Sequence, residues 1–201
     1  MLMLNTLLSE STMASALRLS VPILLAALGG AYTFYADVFN IALEGFMLIS
    51  AFFSAVGAMK FGNPWLGVAA AVLSGLISAF LFGFLTLKLK ADNIVVALAM
   101  NLGSVGLTTW LLEKIFKVRG MIMIANKATF HDVSLPLISK IPYVGPVLGR
   151  QNVLVYISLI LVVFSELFIF KHIFGIRLRA VGNYPEAAES VGVSVLKYKM
   201  L

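Results

Sequence analysis

Five long apolar segments constrain this chain more than any other feature of its sequence. A helix needs roughly 20 mostly apolar residues to cross a bilayer. The segments that meet this length are residues 16–36, 41–59, 64–87, 94–112 and 153–170, with polar or charged residues at their ends. We therefore predict an all-α, polytopic integral membrane protein with five transmembrane helices.

The composition supports a bilayer as the solvent. Hydrophobic residues make up 61% of the 201 residues and charged residues 12%, whereas soluble domains average roughly 45–50% and about 25%. A net charge of +6 in a soluble protein would suggest nucleic acid. In a membrane protein, basic loop residues set the orientation and contact anionic headgroups. We therefore expect membrane lipid as a partner and no nucleic acid.

Residues for catalysis or metal binding are scarce. The sequence has no cysteine, and its two histidines, His131 and His172, are far apart. This excludes a disulfide framework, a thiolate nucleophile and a cysteine-based metal site. No Ser-His, His-Asp or two-carboxylate arrangement lies within the predicted spans. We expect no catalytic residue, no metal and no cofactor bound by this chain.

Two segments fall outside the predicted spans. Residues 113–152 are rich in Pro and Gly, and because loops beyond about 12–15 residues are usually functional or disordered, we predict a folded surface loop. Its apolar spots are residues 121–124 and 135–138. Residues 175–201 are basic and then helical in pattern. The alternation of spans puts eight basic residues on one side of the membrane and seven on the other, so charge bias does not set the orientation.

Small residues recur at every fourth position of the third apolar segment. Two interpretations stay open: the small face allows close helix packing in lipid, or it lines a pore. The residues are Gly67, Ala71, Gly75, Ala79 and Gly83.

Polar residues share one face of the fourth apolar segment. Asn101, Ser104 and Thr108 have the spacing i, i+3 and i+7. The face either forms hydrogen bonds between helices, which is common in membranes, or lines a substrate path.

Glu44 lies near the start of the second apolar segment, beside Asn40 and Gly45. A charge at mid-membrane costs roughly 2.5–3.5 kcal/mol on insertion scales, so such a residue is a functional candidate. Near a helix end the penalty is lower, and a Glu in the first turn suits the helix dipole. We expect Gly29, Gly30 and the stretch of residues 32–40 to weaken the preceding helix, and transporter sites often lie at broken helices. Both a substrate site and a structural role remain open for Glu44.

A short capped helix is predicted near the end of the chain. Pro185 fits its first position, Glu186 and Glu189 favour its N-terminal end, and Gly192 suits its stop. The segment is either a solvated connector or the Glu-Ala-Ala signature of ATP-binding-cassette importer permeases.

Three stretches, in order along the chain, resemble one permease family. Residues 39–53 read FNIALEGFMLISAFF, residues 87–103 read LKLKADNIVVALAMNLG, and residues 178–193 read LRAVGNYPEAAESVGV. They are similar to the permeases of ATP-binding-cassette importers for nucleosides, simple sugars and branched-chain amino acids, with the nucleoside-uptake group nearest. The resemblance extends over residues 17–199.

The resemblance implies a topology and a set of partners. Residues 175–199 would form a cytoplasmic coupling region, and residues 113–152 an external loop. The partners would be a second permease subunit, a cytoplasmic ATPase that binds the ATP, and an extracellular substrate-binding lipoprotein. Family members continue for further membrane segments, so residues 1–201 would be the N-terminal portion of one transmembrane permease domain, located in the cell membrane.

The resemblance also implies two sets of functional residues. It assigns Asn40, Glu44, Gly45 and Asn101 to a translocation path, to which the polar face adds Ser104 and Thr108. Coupling to the ATPase would fall to Arg177, Arg179, Gly182, Pro185, Glu186, Ala187, Ala188 and Gly192. Asn183 and Tyr184 depart from the more usual Glu-Asn before Pro185.

Overall fold

The computed structural model describes residues 9–121, 129–134 and 144–200. The helices are α1 (Glu10–Tyr35), α2 (Leu43–Phe61), α3 (Pro64–Gly83), α4 (Asn93–Phe116), α5 (Val144–Leu148), α6 (Val153–Phe170), α7 (Ile173–Asn183), α8 (Pro185–Ser190) and α9 (Val195–Met200), and the strands are β1 (Asp132–Ser134) and β2 (Arg150–Asn152). A π-helical turn, Phe84–Lys88, continues α3.

The five predicted spans are confirmed as helices. Among the described residues, α1, α2, α3 with its π-helical turn, α4 and α6 are long and apolar enough to cross a membrane. At most 22% of any of these spans is buried within the chain, so most apolar side chains face outward, as contact with lipid requires. The fifth span has the predicted bounds, Val153–Phe170.

The first span differs from its prediction. Helix α1 begins at Glu10 and runs unbroken through Gly29 and Gly30 to Tyr35. The glycines therefore do not break the helix. A pair of glycines costs roughly 1 kcal/mol each relative to Ala, and a long span in lipid keeps its helical hydrogen bonds because no water is there to replace them. The chain turns instead at Asp37, whose φ is +55°.

Local capping explains where α3 and α4 begin. The Asn63 side chain accepts a hydrogen bond from the N–H of Trp65, and Pro64 occupies the first position of α3. The Asp92 carboxylate accepts from the N–H groups of Ile94 and Val95 at the start of α4. Each side chain satisfies donors that have no partner within the helix.

The described contacts fall into two compact units. One holds the described residues up to Leu28 together with those of Phe130–Leu167, and the other holds those of Gly29–Thr129 and from Phe168 onward. We call them the hairpin unit and the bundle unit.

The hairpin unit contains an antiparallel pair of strands. Strand β1 pairs with β2 so that Asp132 faces Asn152 and Ser134 faces Arg150. The described part of the predicted loop is thus folded into a pair of strands, whereas its first four residues, 113–116, belong to α4. The apolar spots at residues 122–124 and 135–138 lie outside the described residues.

The bundle unit is built on close packing of α2 against α3 and α4. A Cβ atom on Gly67 would lie 2.8 Å from the carbonyl oxygen of Ser54, and one on Gly75 would lie 2.9 Å from the Ser50 hydroxyl. These two members of the small face therefore allow α3 to approach α2. Ala79 is exposed, and Gly83 faces the Met200 sulfur.

Candidate functional site

Asn101 joins two of the spans in the bundle unit. Its side-chain oxygen accepts a hydrogen bond from the N–H of Gly45 at 2.8 Å, and its side-chain nitrogen donates to the carbonyl of Ile41 at 3.0 Å. The N–H of Gly45 belongs to the first turn of α2, where no partner exists within the helix. The N-cap residue Ala42 has no side-chain acceptor. Asn101 therefore caps α2 from the neighbouring helix.

Gly45 is required by the closeness of this contact. A Cβ atom there would lie 2.8 Å from the Asn101 side-chain oxygen and 3.1 Å from the carbonyl of Met100 and the hydroxyl of Ser104. A larger residue would push α2 away from α4 and break the cap. Gly45 and Asn101 thus act as one structural pair, which we call the Asn101 cap.

Ser104 and Thr108 continue the buried face of α4. Their hydroxyls donate to carbonyls of their own helix, Ser104 to Asn101 and Thr108 to Ser104, each at 2.7 Å. Both residues are buried. Of the three residues on this face, Asn101 is the one with a side-chain hydrogen bond to another helix. A hydrogen bond to the helix's own carbonyl lets a hydroxyl be buried without a partner across the interface.

Asn40 and Glu44 lie on either side of the start of α2. The Asn40 side chain accepts a hydrogen bond from the N–H of Ala42 at 2.9 Å. Glu44 is exposed, and within the described residues it has no hydrogen bond or ion pair. The structure thus brings Gly45, Asn101 and Ser104 of the predicted path into contact, and Glu44 is the charged member of the set. The path itself stays a prediction.

Helix α7 is fixed to the rest of the bundle unit by several side chains. The Arg179 guanidinium donates to the carbonyl of Phe170, the last residue of α6, at 3.4 Å and lies 5.2 Å from the centre of its ring. Arg177 donates to the Tyr198 hydroxyl at 3.2 Å. Both arginines of the predicted coupling set therefore contact groups of this chain.

Helix α8 has one buried side and an otherwise exposed surface. Pro185 occupies its first position, and Ala188 is buried. The neighbouring residues Pro185, Glu186, Ala187 and Glu189 are exposed. The helix ends as predicted, since Gly192 has a φ of +83° and donates its N–H to the Glu189 carbonyl.

The sequence interpretation missed several contacts around α7. Gly175 is buried, and Lys199 forms an ion pair with Asp37 at 3.7 Å. The chain also forms α7 as a separate helix before α8, whereas the sequence pattern predicted one short helix. The sequence did contain a signal for two separate helices. Gly175, Leu178 and Gly182 are spaced as one helical face, and the residue before a proline rarely adopts the helical conformation.

Next to this region, a cavity of about 570 Å³ opens at the end of α1. It is lined by residues from the end of α1, the following turn and α7, among them Thr33, Asp37, Asn40, Arg179 and Asn183.

Comparison with known proteins gives consistent matches over almost the whole chain. Residues 12–201 match the family described as branched-chain amino acid transport system / permease component. The nucleoside ABC transporter permease protein NupC of Lactococcus lactis subsp. cremoris (strain MG1363) is 33% identical over 97% of the chain and 62% of its own length. The guanosine ABC transporter permease protein NupQ of Bacillus subtilis (strain 168) is 31% identical over 90% of the chain and 59% of its length.

A third relative carries a different name. The putative glucose ABC transporter permease protein TsgC13 of Haloferax volcanii is 29% identical over 89% of the chain and 54% of its own length. The chain therefore spans 54–62% of the length of these relatives. No solved structure matches it.

Proposed function

Because the chain belongs to the family of branched-chain amino acid transport system permease components, we propose that it is a permease subunit of an ATP-binding-cassette importer and forms the translocation path for nucleosides. The chain is a multi-pass protein of the cell membrane, with five helices long and apolar enough to cross it. The observation that carries the proposal is α8, a short helix with one buried residue and an exposed acidic face.

Helix α8 has the features of a docking element. Its exposed residues include Glu186 and Ala187, while Ala188 is buried within the bundle unit. A partner groove can therefore receive the exposed side without unfolding the helix. In this proposal the partner is the cytoplasmic ATPase, which binds and hydrolyses the ATP. The permease chain binds no cofactor and performs no covalent chemistry.

The other partners follow from the same proposal. A second permease subunit completes the membrane portion, and a substrate-binding lipoprotein docks on the external loop at residues 113–152. In the described part of that loop, Gln151 is fully buried, and its side-chain oxygen accepts a hydrogen bond from Arg18 at 2.8 Å. This bond fixes strand β2 to α1 and gives a docking protein a defined surface.

Nucleosides are the proposed cargo because two relatives bear nucleoside and guanosine in their names. A simple sugar such as ribose is the alternative, and the relative named for glucose favours it. A branched-chain amino acid is a further alternative, consistent with the family description. Competition binding to the associated lipoprotein separates these cargoes. A lipoprotein that binds ribose and ignores nucleosides would contradict the nucleoside assignment.

Uptake of labelled guanosine in cells that carry the complete transporter tests the importer class. We expect uptake to require the ATPase subunit and to fall strongly in Glu186→Lys, which reverses a charge on the exposed face of α8. Gly192→Asp should act similarly, because it strains the positive φ that ends the helix. Uptake that persists without the ATPase would favour an ATP-independent channel or carrier, which would also transport in liposomes that hold this chain alone.

Glu44→Gln tests the path separately from the coupling. The carboxylate is exposed and has no ion pair within the described residues, so the neutral isostere should leave folding unchanged. We expect a lower rate of guanosine uptake at an unchanged protein level. Uptake equal to that of the wild-type protein would remove Glu44 from the path.

A further inference from the structure

Two glycines of α7 bring its backbone against the ends of two membrane spans. Gly175 lies against the carbonyls of Phe168 and Ile169 in the last turn of α6, and Gly182 lies against the carbonyl of Tyr35, the last residue of α1. At neither position is there room for a Cβ atom. The two glycines are seven residues apart, which is about two helical turns, so they share one face of α7.

The residues between the glycines complete this face. Leu178 is 4% exposed and Val181 is fully buried. Leu178 belongs to the same apolar core as Ala36 and Val38, which follow the end of α1. Close packing of this kind resists small displacements, because protein interiors contain few voids that could absorb them. The face of α7 therefore has little freedom to slide over the end of α1.

Polar contacts hold α7 from the other sides. Arg179 donates to the last carbonyl of α6, and Arg177 donates to the Tyr198 hydroxyl on α9. Helix α9 in turn reaches the turn after α1 through the ion pair of Lys199 with Asp37. Helix α7 is thus attached to α1, α6 and α9 together.

Helix α8 follows α7 after a single residue. Tyr184 alone separates Asn183 at the end of α7 from Pro185 at the start of α8, and its backbone is not helical, with a φ of −142° and a ψ of 76°. The N–H of Ala188 donates to the carbonyl of Tyr184. Because the connection is a single residue, it can absorb almost none of a displacement of α8, and α7 moves with it.

We propose that α7 transmits displacements of α8 to the ends of α1 and α6 as one body, with Gly175 and Gly182 as positioning residues for transport. The inference rests on the proposed function, in which the ATPase moves α8. In this inference Gly182 contributes to coupling through a contact within the permease, and not through a contact with the ATPase.

The same contact leads to the predicted path. Gly182 touches the end of α1, and within ten residues of Tyr35 the chain reaches Gly45. Along that stretch Asn40 binds the N–H of Ala42, and Asn101 binds Ile41 and Gly45. A shift at Tyr35 is therefore passed through a short segment with several hydrogen bonds to the start of α2. This provides a physical connection between the exposed helix and the path.

Substitution of the two glycines tests the assignment in the complete transporter. In Gly182→Ala the added methyl group displaces α7 from α1, and we expect guanosine uptake per ATP hydrolysed to fall several-fold while ATP hydrolysis continues. Gly175→Ala should act in the same direction through α6. Gly29→Ala is the control, because Gly29 lies in α1, the helix that Gly182 contacts, and no atom lies within 4 Å of the place its methyl group would take. A parallel loss of uptake and hydrolysis in Gly182→Ala would indicate a merely structural role and contradict the proposal.

A distance measurement tests the proposal with Gly175 and Gly182 left unchanged. The chain has no cysteine, so spin labels can be placed at Phe39→Cys and Ile176→Cys, which are exposed positions after α1 and on α7. A second pair joins Ile176→Cys with Trp110→Cys on α4. When a non-hydrolysable ATP analogue is added to the assembled transporter, we expect the second distance to change and the first to stay constant.

The outcomes separate this inference from the proposed function. A change in the Phe39–Ile176 distance as large as that of the Ile176–Trp110 pair would show that α7 does not move with the end of α1. Two constant distances during active import would show that no displacement passes through α7. Either result overturns the inference and leaves the importer assignment standing. Absence of ATP-dependent uptake in the wild-type transporter would instead contradict the proposed function.

Discussion

Each of the two units contains an amide side chain that binds backbone groups, and the two amides lie in different surroundings. In the bundle unit Asn101 reaches backbone groups of another span, at Gly45 and Ile41. In the hairpin unit Gln151 accepts a hydrogen bond from Arg18 and donates to the carbonyls of Ala14 and Val147. Both amides form hydrogen bonds with backbone groups that lie outside their own helix or strand.

The difference lies in what surrounds each amide. Gly45 packs against Asn101 so closely that a Cβ atom has no room, so the Asn101 cap depends on shape as well as on hydrogen bonds. Gln151 is fully buried but is joined by a half-exposed ion pair, Arg18 with Asp132. The comparison teaches that the contact between spans requires the two helix backbones to lie close together. The contact that holds the surface hairpin depends instead on its polar groups.

Gly45→Val should have the largest effect. The side chain would overlap the Asn101 oxygen and the Met100 carbonyl, and overpacking costs about 1–3 kcal/mol or more. We expect a clear fall in the thermal unfolding temperature of the detergent-purified protein. Gly103→Val is the control on α4, because Gly103 has no atom within 4 Å of a Cβ position. Equal effects of the two variants would contradict the close approach at Gly45.

Asn101→Leu should follow, since it keeps the volume and removes both hydrogen bonds. It leaves the N–H of Gly45 and the carbonyl of Ile41 without their side-chain partner, and hydrogen bonds between spans contribute roughly 0.6–1.7 kcal/mol. Thermal unfolding should show a smaller loss than Gly45→Val. Thr109→Val is the control, because Thr109 is exposed and bonds its own helix. An unchanged unfolding temperature for Asn101→Leu would mean that close packing, and not the hydrogen bonds, stabilises the Asn101 cap.

Gln151→Leu should loosen the hairpin unit and leave the bundle unit intact. The variant deprives the Arg18 side chain of its buried acceptor and removes the donors to Val147 and Ala14. A buried group left unsatisfied costs about 1–3 kcal/mol. We expect faster limited proteolysis in residues 113–152. Gln151→Glu, which keeps an acceptor for Arg18, should fall between the wild type and Gln151→Leu, and protection equal to the wild type in both would contradict the role of the amide.

Asp132→Asn should have the smallest effect. Its ion pair with Arg18 is about half exposed on both sides, and such pairs contribute roughly 0–1 kcal/mol. We expect a slight increase in the proteolysis rate at low salt that disappears at high salt, because salt screens exposed charges. A loss as large as that of Gln151→Leu would mean that the charge, and not the amide, holds the hairpin.

Local patterns in the sequence predicted much of the fold. The spans follow from apolar length, and the bounds of α8 follow from Pro185 and Gly192, since each of these signals acts within a few residues. The role of Asn101 could not be derived in this way. Its spacing predicted a polar face, but its partner, the N–H of Gly45, lies 56 positions away in the sequence and belongs to the backbone, which carries no sequence signal. The same holds for Gly182 and the Tyr35 carbonyl.

The partnership of Gln151 with α1 also sets an order for biogenesis. The carbonyl of Ala14 and the side chain of Gln151 are separated by 137 positions in the sequence. At roughly 5–20 residues per second, the ribosome needs on the order of 7–27 s to synthesise the intervening chain. During that interval this contact of α1 cannot form. Helix α1 is thus synthesised well before the residue that completes this contact.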